Sequence, residues 1–349
     1  MKHFRTYTRH DVLNMTRIRR YETKLGEKIR VLESAGSLAS FLDDTSSRFI
    51  LFGIPEDLGV RANFGIGGAD TAWAPFISSF VNLQSTDRFT GEEMALIGYF
   101  DFSEVLGVIE KNARGMEERI DALRHAVANI VDEEVEGLVK MITSAGKVPI
   151  AIGGGHNNAY PLLKGAAKGL VKSGRAVKAQ LNAVNLDAHA DFRMEEGRHS
   201  GNGFRYAMQE GYLGKYAVVG LQENYNAQSI LDDLYSNVNI QYIFHEDIFI
   251  HEKLNFRQAI AQAFHFSDDQ YMGIELDLDV IKDTLSSAGT PMGISVDHAR
   301  QYMYYAAQNP KLAYLHICEG AESLLDGRTD PLMGKLIACL VADFIKASL

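Results

Sequence analysis

From about residue 48 to the end of the chain, short apolar or β-branched runs alternate with longer amphipathic stretches. The short runs predict strands at Phe49–Ile54, Ala95–Tyr99, Val148–Ile152, Ala183–Leu186, Ala217–Gly220, Ile240–Phe244, Met272–Leu276 and Leu312–Ile317. The longest helical candidate covers Met116–Ser144, and others lie near Ala69–Val81, Tyr160–Val171, Gln228–Tyr235, Val296–Ala307 and Pro331–Lys346. This rhythm predicts an α/β fold, a parallel sheet covered on both faces. No Pro/Gly/Ser-rich linker separates the units, so residues 36–349 are expected to form one domain. Residues 1–35, locally basic through Lys2, Arg5, Arg9, Arg17, Arg19, Arg20, Lys24, Lys28 and Arg30, are expected to be a solvated helical extension.

Composition narrows the partners. The 349 residues are 46% hydrophobic, enough for a sizeable core, and carry a formal charge of −10. That charge argues against nucleic acid or an acidic membrane as the main partner and leaves a small anionic substrate open. No apolar run is long enough for a bilayer and no secretory hydrophobic segment is visible at the N-terminus. Cys318 and Cys339 are too few for a disulfide framework, so a soluble cytoplasmic protein is expected.

The chemistry gathers where predicted strands end, the edge at which open parallel sheets bind ligands. Asp187, His189 and Asp191 follow one strand at intervals of two and leave the same face if the chain stays extended. Val148–Ile152 runs into Gly153-Gly154-Gly155-His156, Met272–Leu276 into Asp277-Leu-Asp279, and Leu312–Ile317 into Cys318-Glu319. Taken singly, aspartates that begin loops and lone histidines carry little information. Together, Asp187, Asp191, Asp277, Asp279, His156 and His189 exceed what one zinc ion takes. They suit two ions about 3.5–4 Å apart, and an oxygen-rich set without thiolate favours Mn²⁺. A phosphate cradle is the other reading of the glycines, but no Lys-Ser/Thr follows them.

Three motifs, Gly154-Gly155-His156, Asp187-Ala-His189-Ala-Asp191 and Asp277-Leu-Asp279, resemble in type and order the ureohydrolase family of arginase, agmatinase and formimidoylglutamase. The resemblance runs from about Ile54 to Glu319 and implies a three-layer α/β/α fold with about eight parallel strands. It also implies two Mn²⁺ per chain and a trimer or hexamer. By the family pattern one ion would be held by His156, Asp187, Asp191 and Asp277, and the other by Asp187, His189, Asp277 and Asp279.

Departures from the pattern bear on the substrate. Arginases carry Ser-Gly-Asn-Leu-His-Gly where this chain has Ser200-Gly-Asn-Gly-Phe204-Arg205, and Phe204 cannot pass a proton. His199 is the remaining imidazole nearby, either a shuttle from another direction or a solvated loop residue. Glu275 stands where the family has serine, and Lys282-Asp283 where it has Asp-Pro. The loop after Asp191 brings Arg193, Arg198, Ser200, Asn202 and Arg205, and guanidinium forks suit carboxylates. Formimidoylglutamases resemble the chain here, with Ser-Gly-Thr-Pro-Phe-Arg, and also along Gly53–Asn63, where Arg61 is either a further carboxylate contact or a surface residue. The implied reaction is N-formimidoyl-L-glutamate plus water to L-glutamate and formamide. Asp191 would orient the nucleophile and, with or without His199, return the proton, while Glu319 would hold the formimidoyl NH groups. The alternatives are urea release from a guanidino acid, a catalytically silent metal-binding relative, and a single-zinc amidase of similar architecture.

Overall fold

The computed structural model describes residues 1–32 and 37–349. Ten strands occur among them: β1 (Phe4–Thr6), β2 (Arg30–Val31), β3 (Phe49–Gly53), β4 (Met94–Phe100), β5 (Val148–Ile152), β6 (Leu181–Leu186), β7 (Leu213–Leu221), β8 (Ile240–Phe244), β9 (Met272–Asp277) and β10 (Leu312–Cys318). They form one sheet in the order β1-β4-β3-β5-β10-β9-β6-β7-β8, with β2 also pairing β4. From β4 to β8 every pairing is parallel. β3, β5, β6, β9 and β10 are buried along their whole length, which is why they read as continuous apolar runs rather than alternating ones.

Two separate apolar clusters cover the two faces, making three layers. One face is packed by helices Trp73–Phe80, Phe256–Ser267, Val296–Ala307 and Met333–Ala347. The other carries Ala159–Lys172 and the long helical stretch Met116–Ser144, which widens to a π turn at Val127–Val131. Asp132, the first residue after that turn, is buried. Among the described residues no helix is long and apolar enough to cross a membrane.

The N-terminal segment departs from the expected solvated helix. Among its described residues only Arg9–Met15 and Leu25–Lys28 are α-helical, β1 pairs antiparallel with β4, and Val12, Leu25 and Ile29 enter the core. A basic composition is compatible with this because the cations other than Lys24 are exposed, on strands, loops and the two short helices, while the few apolar residues anchor the segment. The expected boundary at residues 35 and 36 lies outside the described residues.

Candidate metal centre

The four central strands, β5, β10, β9 and β6, are adjacent and parallel, so their carboxyl ends open onto one space. β5 ends in a turn through Gly153 and Gly154, with φ of +89° and +79°. A Cβ on Gly154 would lie 2.6 Å from the Ile54 carbonyl, so the turn is closed to other residues. Buried Glu56 ties the turn down: its Oε1 accepts from the Gly155 N–H at 3.1 Å and from Asn157 and Asn158 Nδ2 at 3.1 and 2.6 Å. This places the His156 ring, fully buried, above the strand ends.

His156 Nδ1 faces three carboxylates, with Asp191 Oδ2 at 2.8 Å and Asp187 Oδ2 and Asp277 Oδ2 each at 3.2 Å. His189 Nδ1 lies 3.0 Å from Asp279 Oδ2 and 3.6 Å from Asp187 Oδ1. Of three candidate ligand groups among the described residues, one sets His156 beside His316 and Cys318, and the other two are His156 with Asp187, Asp191 and Asp277, and Asp187 with His189 and Asp279. Asp187 belongs to both of the latter and turns one oxygen to each imidazole. Asp277 is absent from the His189 group; its Oδ1 accepts the Asp279 N–H at 2.8 Å. Asn185 Nδ2 donates to Asp187 Oδ2 at 3.0 Å and steadies the shared carboxylate.

The donors fit a pair of divalent cations. Four carboxylates and two imidazoles converge where the nitrogens of His156 and Asp279 Oδ1 have no hydrogen-bond partner. Burial and the neighbouring Asp279 and Asp187 charges push the Asp277 carboxyl well up, and burial with Asp187 raises Asp191. Burial opposes the charged form of His156 and His189, yet the surrounding acidic groups outweigh it and raise both. Such a cluster is costly as bare charge, and a divalent cation neutralises it. Asp191 and Glu319 adopt left-handed φ values of +45° and +61°, conformations that cost about 1–3 kcal/mol each and collect at functional sites.

The centre floors a cleft of about 280 Å³ whose walls include Asn63, Arg193, Ser200, Tyr225 and Glu319. Tyr225 stacks on His189 at 5.7 Å between ring centroids. Glu319 accepts the His156 backbone N–H at 2.8 Å, and burial raises its carboxyl to about 8.

The family model that matches this chain is that of the Arginase family, over residues 48–342. The chain belongs to the arginase family. A formimidoylglutamase of Rhodococcus jostii is 25% identical over 303 residues, covering 84% of each chain. One of Macrococcus caseolyticus is 28% identical over 230 residues, 65% of this chain and 68% of that one. Among solved structures, formimidoylglutamase from Bacillus subtilis superposes with a TM-score of 0.70 at 17% identity, covering 95% of this chain and 93% of that one. Trypanosoma cruzi formiminoglutamase with Mn²⁺ gives 0.69 at 17% identity, covering 93% and 98%. These two likenesses establish the arginase-family fold.

Against that fold, the predicted substrate residues separate. Arg193 and Ser200 line the cleft. Arg198 does not: it is buried, with Nε 2.9 Å from Asp132 Oδ2, Nη1 2.9 Å from Asn202 Oδ1 and Nη2 2.7 Å from the Asn157 carbonyl. Arg205 is turned to the Phe192 carbonyl and Asp233, also away from the cleft. Asn202 spends its amide on the loop, donating to the Gly197 carbonyl at 2.8 Å and accepting from Arg198 and the His199 N–H. The His199 ring has no exposed surface, accepts the Gly201 N–H at Nδ1 and meets Glu196 at Nε2. Burial, with Arg193 nearby, lowers its pKa to about 4. Expecting Arg198, Arg205 and Asn202 to read substrate and His199 to shuttle protons is therefore revised: the loop's own packing engages all four. Arg61 pairs with Asp57 at 2.7 Å and Glu110 at 3.3 Å. Asn63 and Glu56 lie in the Gly53–Asn63 stretch whose resemblance marked it from sequence, without a role of their own, and Tyr225 carried no sequence signal because it meets the site through a contact remote in the chain.

These shifts set a pH dependence. Glu319, Glu56 and Asp132, raised by burial to about 8, 7 and 6, hold protons in the fold that the unfolded chain has released. Between about pH 4.5 and 8 these three acids make stability fall as pH rises, and together they outweigh His199, whose lowered pKa of about 4 acts the other way below about pH 6.5. His156 and His189, also raised, add the same sign above about pH 6.5. Urea unfolding of chelator-treated protein is expected to show a lower midpoint at pH 8 than at pH 5. Excess Mn²⁺ should remove or reverse this trend, because cation binding displaces those protons. Equal midpoints at the two pH values without metal would contradict the assignment.

Proposed function

We propose that this chain hydrolyses N-formimidoyl-L-glutamate to L-glutamate and formamide with a pair of Mn²⁺ ions held by His156, Asp187, His189, Asp191, Asp277 and Asp279. The observation that carries this reading is the cleft itself, lined by His189, Asp191, Asp277 and Asp279 with His156 and Asp187 buried behind them, Glu319 beside them and Arg193 on its wall. The names of the curated relatives support the substrate assignment, and the manganese of the Trypanosoma cruzi structure supports the metal.

When bound, the ions acidify a water and polarise the amidine. The chain's own groups do the rest. Asp191, lining the cleft beside His156, orients the water that adds to the amidine carbon. The bond from that carbon to the glutamate nitrogen then breaks, and Asp191 delivers the proton to the leaving amine. Glu319 accepts hydrogen bonds from the cationic formimidoyl group, whose charge favours the ionised carboxylate. Arg193, half exposed and 3.0 Å from Glu196, exchanges that partner for a substrate carboxylate. Asn63 and Ser200, 3.3 Å apart on the wall, supply neutral donors for the other carboxylate. The protein acts as a cytoplasmic homo-oligomer on a small anionic amidine, without nucleic acid or membrane.

Arg193 supplies the one guanidinium on the cleft wall among the described residues, and that favours a second reading in which a guanidino acid with a single carboxylate is cleaved to urea. Manganese-loaded protein offered formimidoylglutamate, arginine, agmatine and guanidinobutyrate, with formamide and urea assayed, decides between them. Formamide from the first alone is expected. Urea from arginine with formimidoylglutamate untouched would sink the assignment, and two bound ions without any turnover would make the chain a silent relative. Arg193→Ala is expected to lower kcat/KM for formimidoylglutamate about 10–100-fold, mostly through KM, since a charged hydrogen bond contributes about 1.5–3 kcal/mol. An unchanged KM would remove Arg193 from substrate binding.

A further inference from the structure

One pleat below the ligands lies a second polar row. The register sets Asn185 of β6 beside Glu275 of β9, and Glu275 beside His316 of β10. By the period of two these residues share the face of Asp187, Asp277 and Cys318. Asn185, Glu275 and His316 have no exposed surface. Asn185 already serves a ligand, through its bond to Asp187. Glu275 is the unexplained member, a carboxylate in the middle of a strand in the centre of the sheet.

Its partners fix where it points. Oε1 accepts the Tyr314 hydroxyl at 2.6 Å, and Oε2 accepts His316 Nδ1 at 2.7 Å. The same Oε2 lies 3.5 Å from Nε2 of His156, the ring nitrogen turned away from Asp187, Asp191 and Asp277. The surroundings are shaped for this arrangement. Gly273 is the register partner of Tyr314, and a Cβ there would lie 2.4 Å from Tyr314 Cζ, so only glycine leaves room for the ring that holds Glu275.

An imidazole that ligates a cation needs one nitrogen free of its proton, and the partner of the other nitrogen selects which. We propose that Glu275, clamped by Tyr314 and His316, is a positioning residue for His156, its Oε2 standing 3.5 Å from an Nε2 that has no other partner and holding the proton on that nitrogen so that Nδ1 presents its lone pair beside Asp187, Asp191 and Asp277. A carboxylate in this role also increases the electron density at the ligating nitrogen, which a hydroxyl cannot do to the same degree. Glu275 therefore strengthens one of the two cation sites, the one containing His156, and leaves the site of His189 and Asp279 unaffected.

The inference rests on the reading of His156 as a metal ligand, and the test separates the two. Metal-free wild type, Glu275→Gln and Tyr314→Phe are titrated with Mn²⁺, free ion is counted by electron paramagnetic resonance, and each metal-free protein is melted. Wild type is expected to bind two ions. Glu275→Gln should bind one of them about 10–100-fold more weakly and the other within about threefold of wild type, the range for loss of a partner behind a ligand. Tyr314→Phe should shift the same site in the same direction by less. If Glu275→Gln does not fold, Tyr314→Phe and Glu275→Asp carry the comparison. Unchanged affinities in the variants, or both affinities falling together in step with the melting temperature, would overturn the positioning role while leaving the two-ion reading intact. A wild type that binds no Mn²⁺ would overturn both.

Discussion

Asp187→Asn is expected to abolish turnover and to remove both cations rather than one. Asp187 is the residue common to the two ligand groups, its oxygens divided between His156 and His189, so an amide in its place leaves one group a neutral carbonyl and the other no ligand atom. The amide nitrogen puts a donor where one of the groups needs an acceptor, the negative charge shared by both is lost, and Asn185 Nδ2 loses its carboxylate. The ions supply several kcal/mol of transition-state stabilisation, which at 1.36 kcal/mol per tenfold corresponds to a loss of about 10³-fold or more in kcat/KM. Asp279→Asn, by contrast, touches only the His189 group and should leave one ion bound. Measuring bound manganese by elemental analysis alongside kcat/KM checks both. An Asp187→Asn protein that keeps two ions and more than about a tenth of wild-type activity would refute the shared role.

The difference between these variants was half visible in the sequence. The Asp187, His189 and Asp191 set could be read from its spacing after an apolar run, although β6 ends at Leu186 and Asp191 takes a left-handed φ of +45°, so a bend after the strand, not a shared strand face, brings the three together. The eight parallel strands were legible too, being long enough for their burial to show. β1 and β2 were not, since three and two residues display no period and their pairing with β4 is decided by distant contacts. Nor did the sequence announce that Asp277 would spend one oxygen on the Asp279 N–H, which depends on the 3₁₀ turn after β9. The fate of the basic loop was least legible. Arg198 and Asp132 are 66 residues apart and Arg205 and Asp233 28 apart, so composition displayed free guanidinium groups where the fold pairs them.

That pairing leads to the largest expected stability effect. Arg198→Ala should lower unfolding stability by about 3–5 kcal/mol, the cost of stripping one partner from a buried ion pair. Four observations place it there rather than in the cleft: the bond to Asp132, those to Asn202 and the Asn157 carbonyl, and a guanidinium lying 4.6 Å over the Tyr160 ring. Burial raises the Asp132 carboxyl to about 6 even with Arg198 beside it, so the pair only partly offsets its desolvation. Removing the guanidinium leaves that acid with no cation and frees the loop that carries Ser200 to the cleft. Asp132→Asn combined with Arg198→Met should recover much of the loss, because a neutral pair leaves no buried charge behind. Urea unfolding of the two single variants and the double variant measures this, with KM for formimidoylglutamate recorded in each. A substrate-reading Arg198 would give the opposite pattern, a raised KM with unfolding unchanged and no recovery in the double variant.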